Sequence, residues 1–240
     1  HMSRFFEELD YCPTPIGALS LRRRHDLRLG EDVWEIMLGQ DFLMTSHFTA
    51  SEVALGRLGV AACGGDALDI VVGGLGLGYT AAAVLDETRV ATLRVVEYLA
   101  PVIAWHETGL LPLGTRVADD PRCRLVEGDF FAMARGEGFD PDRPARRFDA
   151  ILADIDHAPD HLLDPRSDSF YQVEGLRALG RHLKPGGIFG LWSNEVTDAR
   201  FLDRLRAAFA EARAEPVTFD NPLTGRPVTQ TVYLARAAAE

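Results

Sequence analysis

The run Asp69-Ile70-Val71-Val72-Gly73-Gly74-Leu75-Gly76-Leu77-Gly78-Tyr79-Thr80 constrains the fold more than any other stretch of this 240-residue chain. An unalternated apolar strand enters a glycine-rich turn, and the alanines 81 to 83 continue as a helix. Such a strand is buried on both faces, as in a parallel sheet covered by helices. Glycine permits the tight turn and lets a ligand approach the backbone closely. No Gly-Lys-Ser/Thr ends the loop, which excludes a Walker-type phosphate loop. Two ligands remain open: a pyrophosphate at the helix N-terminus, or the amino-acid part of S-adenosylmethionine.

From Leu68 onward the chain alternates apolar runs with helix-like segments. The spacing predicts strands at Leu68–Val72, Leu93–Glu97, Cys123–Glu127, Phe148–Asp154 and Ile188–Ser193. This rhythm predicts an α/β, Rossmann-like doubly wound sheet. A helix over 201–213 and two closing strands, Val217–Phe219 and Gln230–Leu234, complete it. Residues 136–147, with two glycines and two prolines, read as a surface loop. Ahead of the sheet, short strands at 16–24, 33–38 and 42–45 predict a small antiparallel β-unit. The expected domains are that β-unit, 3–47, and a nucleoside-binding catalytic domain, 48–240. Thr49-Ala50-Ser51-Glu52 fits a capping box opening a helix to about Val60.

Composition narrows the function classes. The net charge of −11 argues against nucleic acid as a partner and suits small or cationic substrates. The basic run Arg22-Arg23-Arg24-His25 reads as a solvated strand edge. No apolar run is long enough to cross a membrane, and no leader pattern is seen. Cys12, Cys63 and Cys123 show neither disulfide nor zinc spacing, so a reducing cytoplasm is expected.

The predicted strand ends carry acids. Glu97, about 20 residues past the glycine loop, is placed for ribose hydroxyls of either a nicotinamide dinucleotide or an adenosyl group. Asp129 in Gly128-Asp129 is placed for an adenine amino group, or as a helix N-cap. Asp154, Asp156 and His157 end the fourth strand, where a base could take a proton from an acceptor. A metal is a competing reading, with Asp154, Asp156, His157, Asp160 and His161 as donors, but no metal is expected. Trp34, Trp105 and Trp192 read as packing or crevice wall, His106 as a surface or cap residue, and Tyr171 and Gln172 as the start of a later helix.

In order, the chain carries Gly73-Gly74-x-Gly76-x-Gly78, Val96-Glu97, Glu127-Gly128-Asp129, Phe148-Asp149 through Asp154, and Leu183-Lys184-Pro185-Gly186-Gly187. With the β-unit ahead of them, these motifs resemble the spermidine synthase-like family of the class I methyltransferase fold. The resemblance covers roughly residues 8–236. It implies that Gly73, Gly74, Gly76 and Gly78 pass beneath the methionine-derived part of the nucleoside, that Glu97 binds ribose, and that Gly128 and Asp129 lie near adenine. It implies Asp154 as general base, Gln40 reaching the nucleoside from the β-unit, and a homodimer. The chain departs from the family at the loop aspartate, where Gly76 stands. Ala50-Ser51-Glu52 replaces the Tyr-His-Glu helix motif, and Asp154-Ile155-Asp156-His157-Ala158-Pro159 replaces Asp-Ser-Ser-Asp-Pro. The missing loop acid favours ordinary S-adenosylmethionine, whose carboxylate would be repelled by an aspartate at a cost of several kcal/mol. Backbone N–H groups of the loop would receive that carboxylate instead. Methyl transfer to a small amine, hydroxyl or thiol is therefore the expected reaction. Aminopropyl transfer from decarboxylated S-adenosylmethionine, and a non-catalytic nucleoside- or polyamine-binding module, are the alternatives. A nicotinamide dehydrogenase is a further one, without a separate catalytic domain to support it.

Overall fold

A computed structural model describes residues 5–156, 159 and 162–240. The N-terminal unit is a four-stranded antiparallel meander of β1 (Phe6–Thr14), β2 (Gly17–Asp26), β3 (Glu31–Leu38) and β4 (Asp41–Thr45). Gly17, at φ +132°, lets the chain reverse between β1 and β2. The sequence pattern did not reveal β1. It is an edge strand rich in acids and carries Pro13, residues that suit a strand with one unpaired side. The arginines of β2 do not form a solvated edge. Arg22 and Arg24 donate to Glu35 at 3.1 and 3.0 Å, and Arg23 to Glu7 at 2.5 Å.

Next come α1 (Ala50–Ala62), β5 (Leu68–Gly73), α2 (Tyr79–Leu85), β6 (Val90–Glu97), α3 (Ala100–Thr108), α4 (Arg116–Asp119), β7 (Cys123–Glu127), α5 (Phe130–Arg135) and β8 (Phe148–Ala153). A 3-10 helix (Pro165–Tyr171) leads to α6 (Val173–Gly180), β9 (Leu183–Ser193), α7 (Ala199–Ala208), β10 (Glu211–Asp220) and β11 (Pro227–Arg236). The seven-stranded sheet has the order β10-β11-β9-β8-β5-β6-β7. Strands β5 to β9 are parallel, and β11 and β10 pair antiparallel at one edge. The chain leaves β5 outward to β6 and β7, then returns to β8 on the other side of β5. That reversal opens a crevice at the carboxyl ends of β5, β6 and β8.

Side chains of β5 divide between two cores. Ile70 and Val72 face a layer with α1, α2 and α3, while Val71 faces Phe148, Ile151, Phe170, Leu176 and Phe201. Each such fully buried aliphatic or aromatic side chain stabilises the fold by about 1.5–3 kcal/mol. Leu19, Leu21 and Ile36 of the N-terminal sheet join the first core. Trp105 Nε1 donates to Asp10 at 2.7 Å and Trp34 Nε1 to the Leu110 carbonyl at 3.0 Å. The small sheet thus packs directly over α3 and the glycine loop.

Three expectations need correction. The helix expected over 201–213 ends at Ala208, and residues 211–213 open β10, in register with Leu234–Arg236. The ladder outweighs the helical propensity of an Ala-Glu-Arg run. The capping box at Thr49 is not made: its side chain caps nothing, and Glu52 is buried. Within the loop 136–147, Phe139 and Asp140 are buried, and Asp140 meets Arg94 at 3.2 Å and Arg146 at 3.0 Å. No helix among the described residues is long and apolar enough to cross a membrane.

Candidate active site

A cavity of about 690 Å³ lies between the carboxyl ends of the parallel strands, the N-terminal sheet and the β10–β11 hairpin. Gly74, Gly76, Glu97, Gly128, Asp129, Asp154 and Asp156 all line it. Gly73 and Gly78 are buried behind the wall, Gly73 against Phe130 and Gly78 against His106. Gln40 stands in the exposed turn between β3 and β4 and is not part of the wall. His157, and with it Asp160 and His161 of the metal reading, lies outside the described residues.

The loop geometry requires glycine. Gly74 has φ +91°, and a Cβ there would lie 2.2 Å from the Asp154 carbonyl oxygen. Gly78 has φ +92° and caps α2. His106 is fully buried, not a surface residue, and its Nε2 donates to the Gly76 carbonyl at 2.7 Å. Burial lowers the imidazole's pKa, so the ring is neutral and props the loop without adding charge. Gly74→Ala should therefore combine left-handed strain with a backbone clash. We expect it to lower unfolding free energy by about 2 kcal/mol or more in denaturant titrations.

Every N–H of the loop from Gly74 to Gly78 already has an acceptor. Gly74 donates to the Val96 carbonyl at 2.8 Å and Gly78 to the Leu75 carbonyl at 2.8 Å. Leu75 and Gly76 donate to Glu97 Oε1 at 3.0 and 3.4 Å. Leu77 donates to the Met44 thioether at 3.1 Å. The expectation that free loop N–H groups would receive a carboxylate therefore fails. Met44 also fills the space into which a side chain at position 76 would project.

Glu97 Oε2 accepts from Leu99 N–H at 3.0 Å. Burial raises its pKa, against the pull of the N–H groups it accepts from. Asp129 caps α5, its Oδ1 accepting from Phe131 and Ala132 N–H at 3.0 and 3.2 Å. Capping engages Oδ1 alone and Asp129 lines the cavity, so the two roles weighed for this residue are compatible.

Asp154 is positioned by its own N–H on the Gly73 carbonyl, 2.8 Å, and by Thr80 Oγ1 donating to Oδ2 at 3.1 Å. Burial raises its pKa to about 6, the Thr80 hydroxyl opposes this, and the charge of Glu97 adds to it. Asp156 is differently engaged: buried, it accepts from Leu163 N–H at 2.6 Å and from the Tyr171 hydroxyl. It ties the segment after β8 to the 3-10 helix, and Tyr171 is core rather than substrate-facing. Of the tryptophans, Trp192 lines the cavity.

Glu52, expected as part of a capping box, belongs to the site instead. It lines the cavity from α1, it is 8% exposed, and its Oε2 has no hydrogen-bond partner among the described residues. Burial, then the charge of Asp154, pushes its pKa well up. A signal was present: Ala50-Ser51-Glu52 stands where the resembled family has Tyr-His-Glu, and the two share the final Glu. Met44 had no comparable signal.

No family model matches the chain. Solved structures do. The chain is similar to spermidine synthase from Thermotoga maritima, with 17% identity, TM-score 0.70, and 97% of this chain and 73% of that one covered. A spermidine synthase in complex with the transition-state analogue AdoDATO aligns at TM-score 0.73 and 18% identity, over 97% and 74% of the two chains. A probable spermidine synthase from Corynebacterium glutamicum aligns at TM-score 0.62 and 20% identity, over 96% and 79%. The four-stranded N-terminal sheet and the seven-stranded mixed sheet thus share the fold of these solved spermidine synthases, a Rossmann-like α/β fold.

Proposed function

We propose that the protein transfers the aminopropyl group of decarboxylated S-adenosylmethionine to an amine. The observation that carries this reading is the pair of buried cavity carboxylates, Glu52 and Asp154, beside a loop whose N–H groups are all engaged. A donor carboxylate would meet two acids and no free donor there. An ammonium would find two acceptors in a site of low dielectric, where such pairing is strong. Glu52 thereby supplies from α1 the acid that the loop lacks at Gly76.

The donor supplies an electrophilic carbon beside a sulfonium. The remaining work falls to side chains of this chain. Glu97 and Asp129 would hold the sugar and base. Asp154 would orient the acceptor nitrogen and take its proton, because a carboxylate with a pKa of about 6 is ionised yet basic near neutrality. The fold shared with spermidine synthases agrees with this reading.

Methyl transfer is the second reading, and Gly76, the missing loop acid, is what favours it. Calorimetry with the two nucleosides separates them. Aminopropyl transfer requires tighter binding of the decarboxylated form, by about tenfold or more, or 1.4 kcal/mol. Tighter binding of the carboxylated form would overturn it, and binding without turnover on any acceptor would favour a non-catalytic module.

A further inference from the structure

Beyond Glu52 and Asp154 the cavity continues between the N-terminal sheet and the β10–β11 hairpin. Its wall there is formed by Phe42, Phe48, Trp192, Phe219, Leu223 and Val228. Phe48 and Phe219 come from different elements, and their ring centroids lie 6.3 Å apart. The charged groups of this region are matched inside the protein. Glu35 accepts from both Arg22 and Arg24, at 3.1 and 3.0 Å. Asp26 faces Arg24 at 3.6 Å and His47 at 3.3 Å. The amide of Gln230 is also occupied: Oε1 accepts from Ser51 and from Trp192 Nε1 at 3.1 Å, and Nε2 donates to Asn194 at 2.7 Å.

In the part of the cavity between the N-terminal sheet and the hairpin, an acceptor thus meets the anionic pole at Glu52 and Asp154 and then a largely aromatic wall. A second ammonium on that wall would lose its hydration and gain no carboxylate. Contact with aromatic faces returns less than such desolvation costs. An apolar tail, by contrast, gains from burial there. Resting on the transferase reading above, we infer that the acceptor is a primary monoamine with an apolar, ring-sized tail, and not an α,ω-diamine. In its reaction the amine nitrogen bonds to the propyl carbon and the carbon–sulfur bond breaks. The electron pair stays on sulfur, giving the neutral methylthioadenosine, and the proton leaves nitrogen for the Asp154 carboxylate.

The test uses the full chain with decarboxylated S-adenosylmethionine and a panel of 2-phenylethylamine, benzylamine, hexylamine and 1,4-diaminobutane. Methylthioadenosine release and product mass are followed. The expected result is a kcat/KM at least about tenfold higher for 2-phenylethylamine than for 1,4-diaminobutane. Equal or faster release with the diamine overturns the inference and leaves aminopropyl transfer standing. Absence of methylthioadenosine with every amine overturns both. As a second measurement, Phe219→Glu places a carboxylate on the wall and should raise the diamine-to-monoamine ratio by about tenfold. An unchanged ratio would remove the tail from this wall.

Discussion

Asp154→Asn should lower turnover by roughly 10²- to 10⁴-fold, the usual contribution of a positioned base, while making the protein more stable near neutral pH. The two effects have one cause. Asp154 is held among Glu52 from α1, Glu97 from β6 and the Thr80 hydroxyl from α2. Burial, and the charge of Glu97, raise its pKa from the ordinary 3.8 to about 6, against the pull of the Thr80 hydroxyl. Between these values the folded state binds more protons than the unfolded state, so stability falls as pH rises. The penalty is complete above about pH 6, absent below the ordinary value, and on the order of 3 kcal/mol. Asparagine removes the charge and still accepts from Thr80. Its melting temperature should exceed the parent's above pH 6 and converge with it below pH 4, as differential scanning calorimetry would read. Wild-type turnover should decline as pH falls through about 6, where Asp154 takes up its proton. An Asn variant that turned over normally, or that melted earlier at pH 7.5, would remove Asp154 from the role of base.

The frame of this molecule was legible because it rests on local rules. Apolar β-branched runs marked β5, β6, β7 and β8, and the glycines of 73–78 marked the turn where only glycine fits, as the contact of Gly74 with the Asp154 carbonyl explains. The acids at strand ends followed from topology, since crevices form there. What stayed hidden depends on partners distant in sequence. The edge strand β1 alternates weakly and gains its structure from pairing with β2. Residues 211–213 read as helix because their ladder partner is Leu234–Arg236, some 20 positions later. Asp156 looked like a second base, but Tyr171 and Leu163 occupy its oxygens. The loop N–H groups looked free because Glu97 and Met44, their acceptors, come from other elements. Glu52 was mistaken for a cap because a capping box is a four-residue pattern, and burial is not.

Glu52→Gln carries the second large expectation. Both carboxylates are raised: Glu52 stands well above its ordinary value by burial and then by the charge of Asp154, and Asp154 by burial and the charge of Glu97. Near neutrality such a pair retains a proton, because two like charges at short range in a dry site are costly. An arriving ammonium replaces that proton as the neutralising cation. Binding of decarboxylated S-adenosylmethionine or of an amine should therefore release protons, visible as a buffer-dependent enthalpy in calorimetry at pH 7. Glutamine has the same shape and cannot ionise, so the release should largely vanish. Affinity for the cationic ligand should fall by about 10- to 100-fold, the value of one charge-assisted hydrogen bond. Stability should hold or rise, since a buried acid without a partner for Oε2 is removed. A purely structural Glu52 would give the opposite pattern: a lower melting temperature, with ligand affinity and proton release unaltered. The second pattern would leave Asp154 as the lone acid facing the donor, and the choice of decarboxylated nucleoside would lose its physical basis.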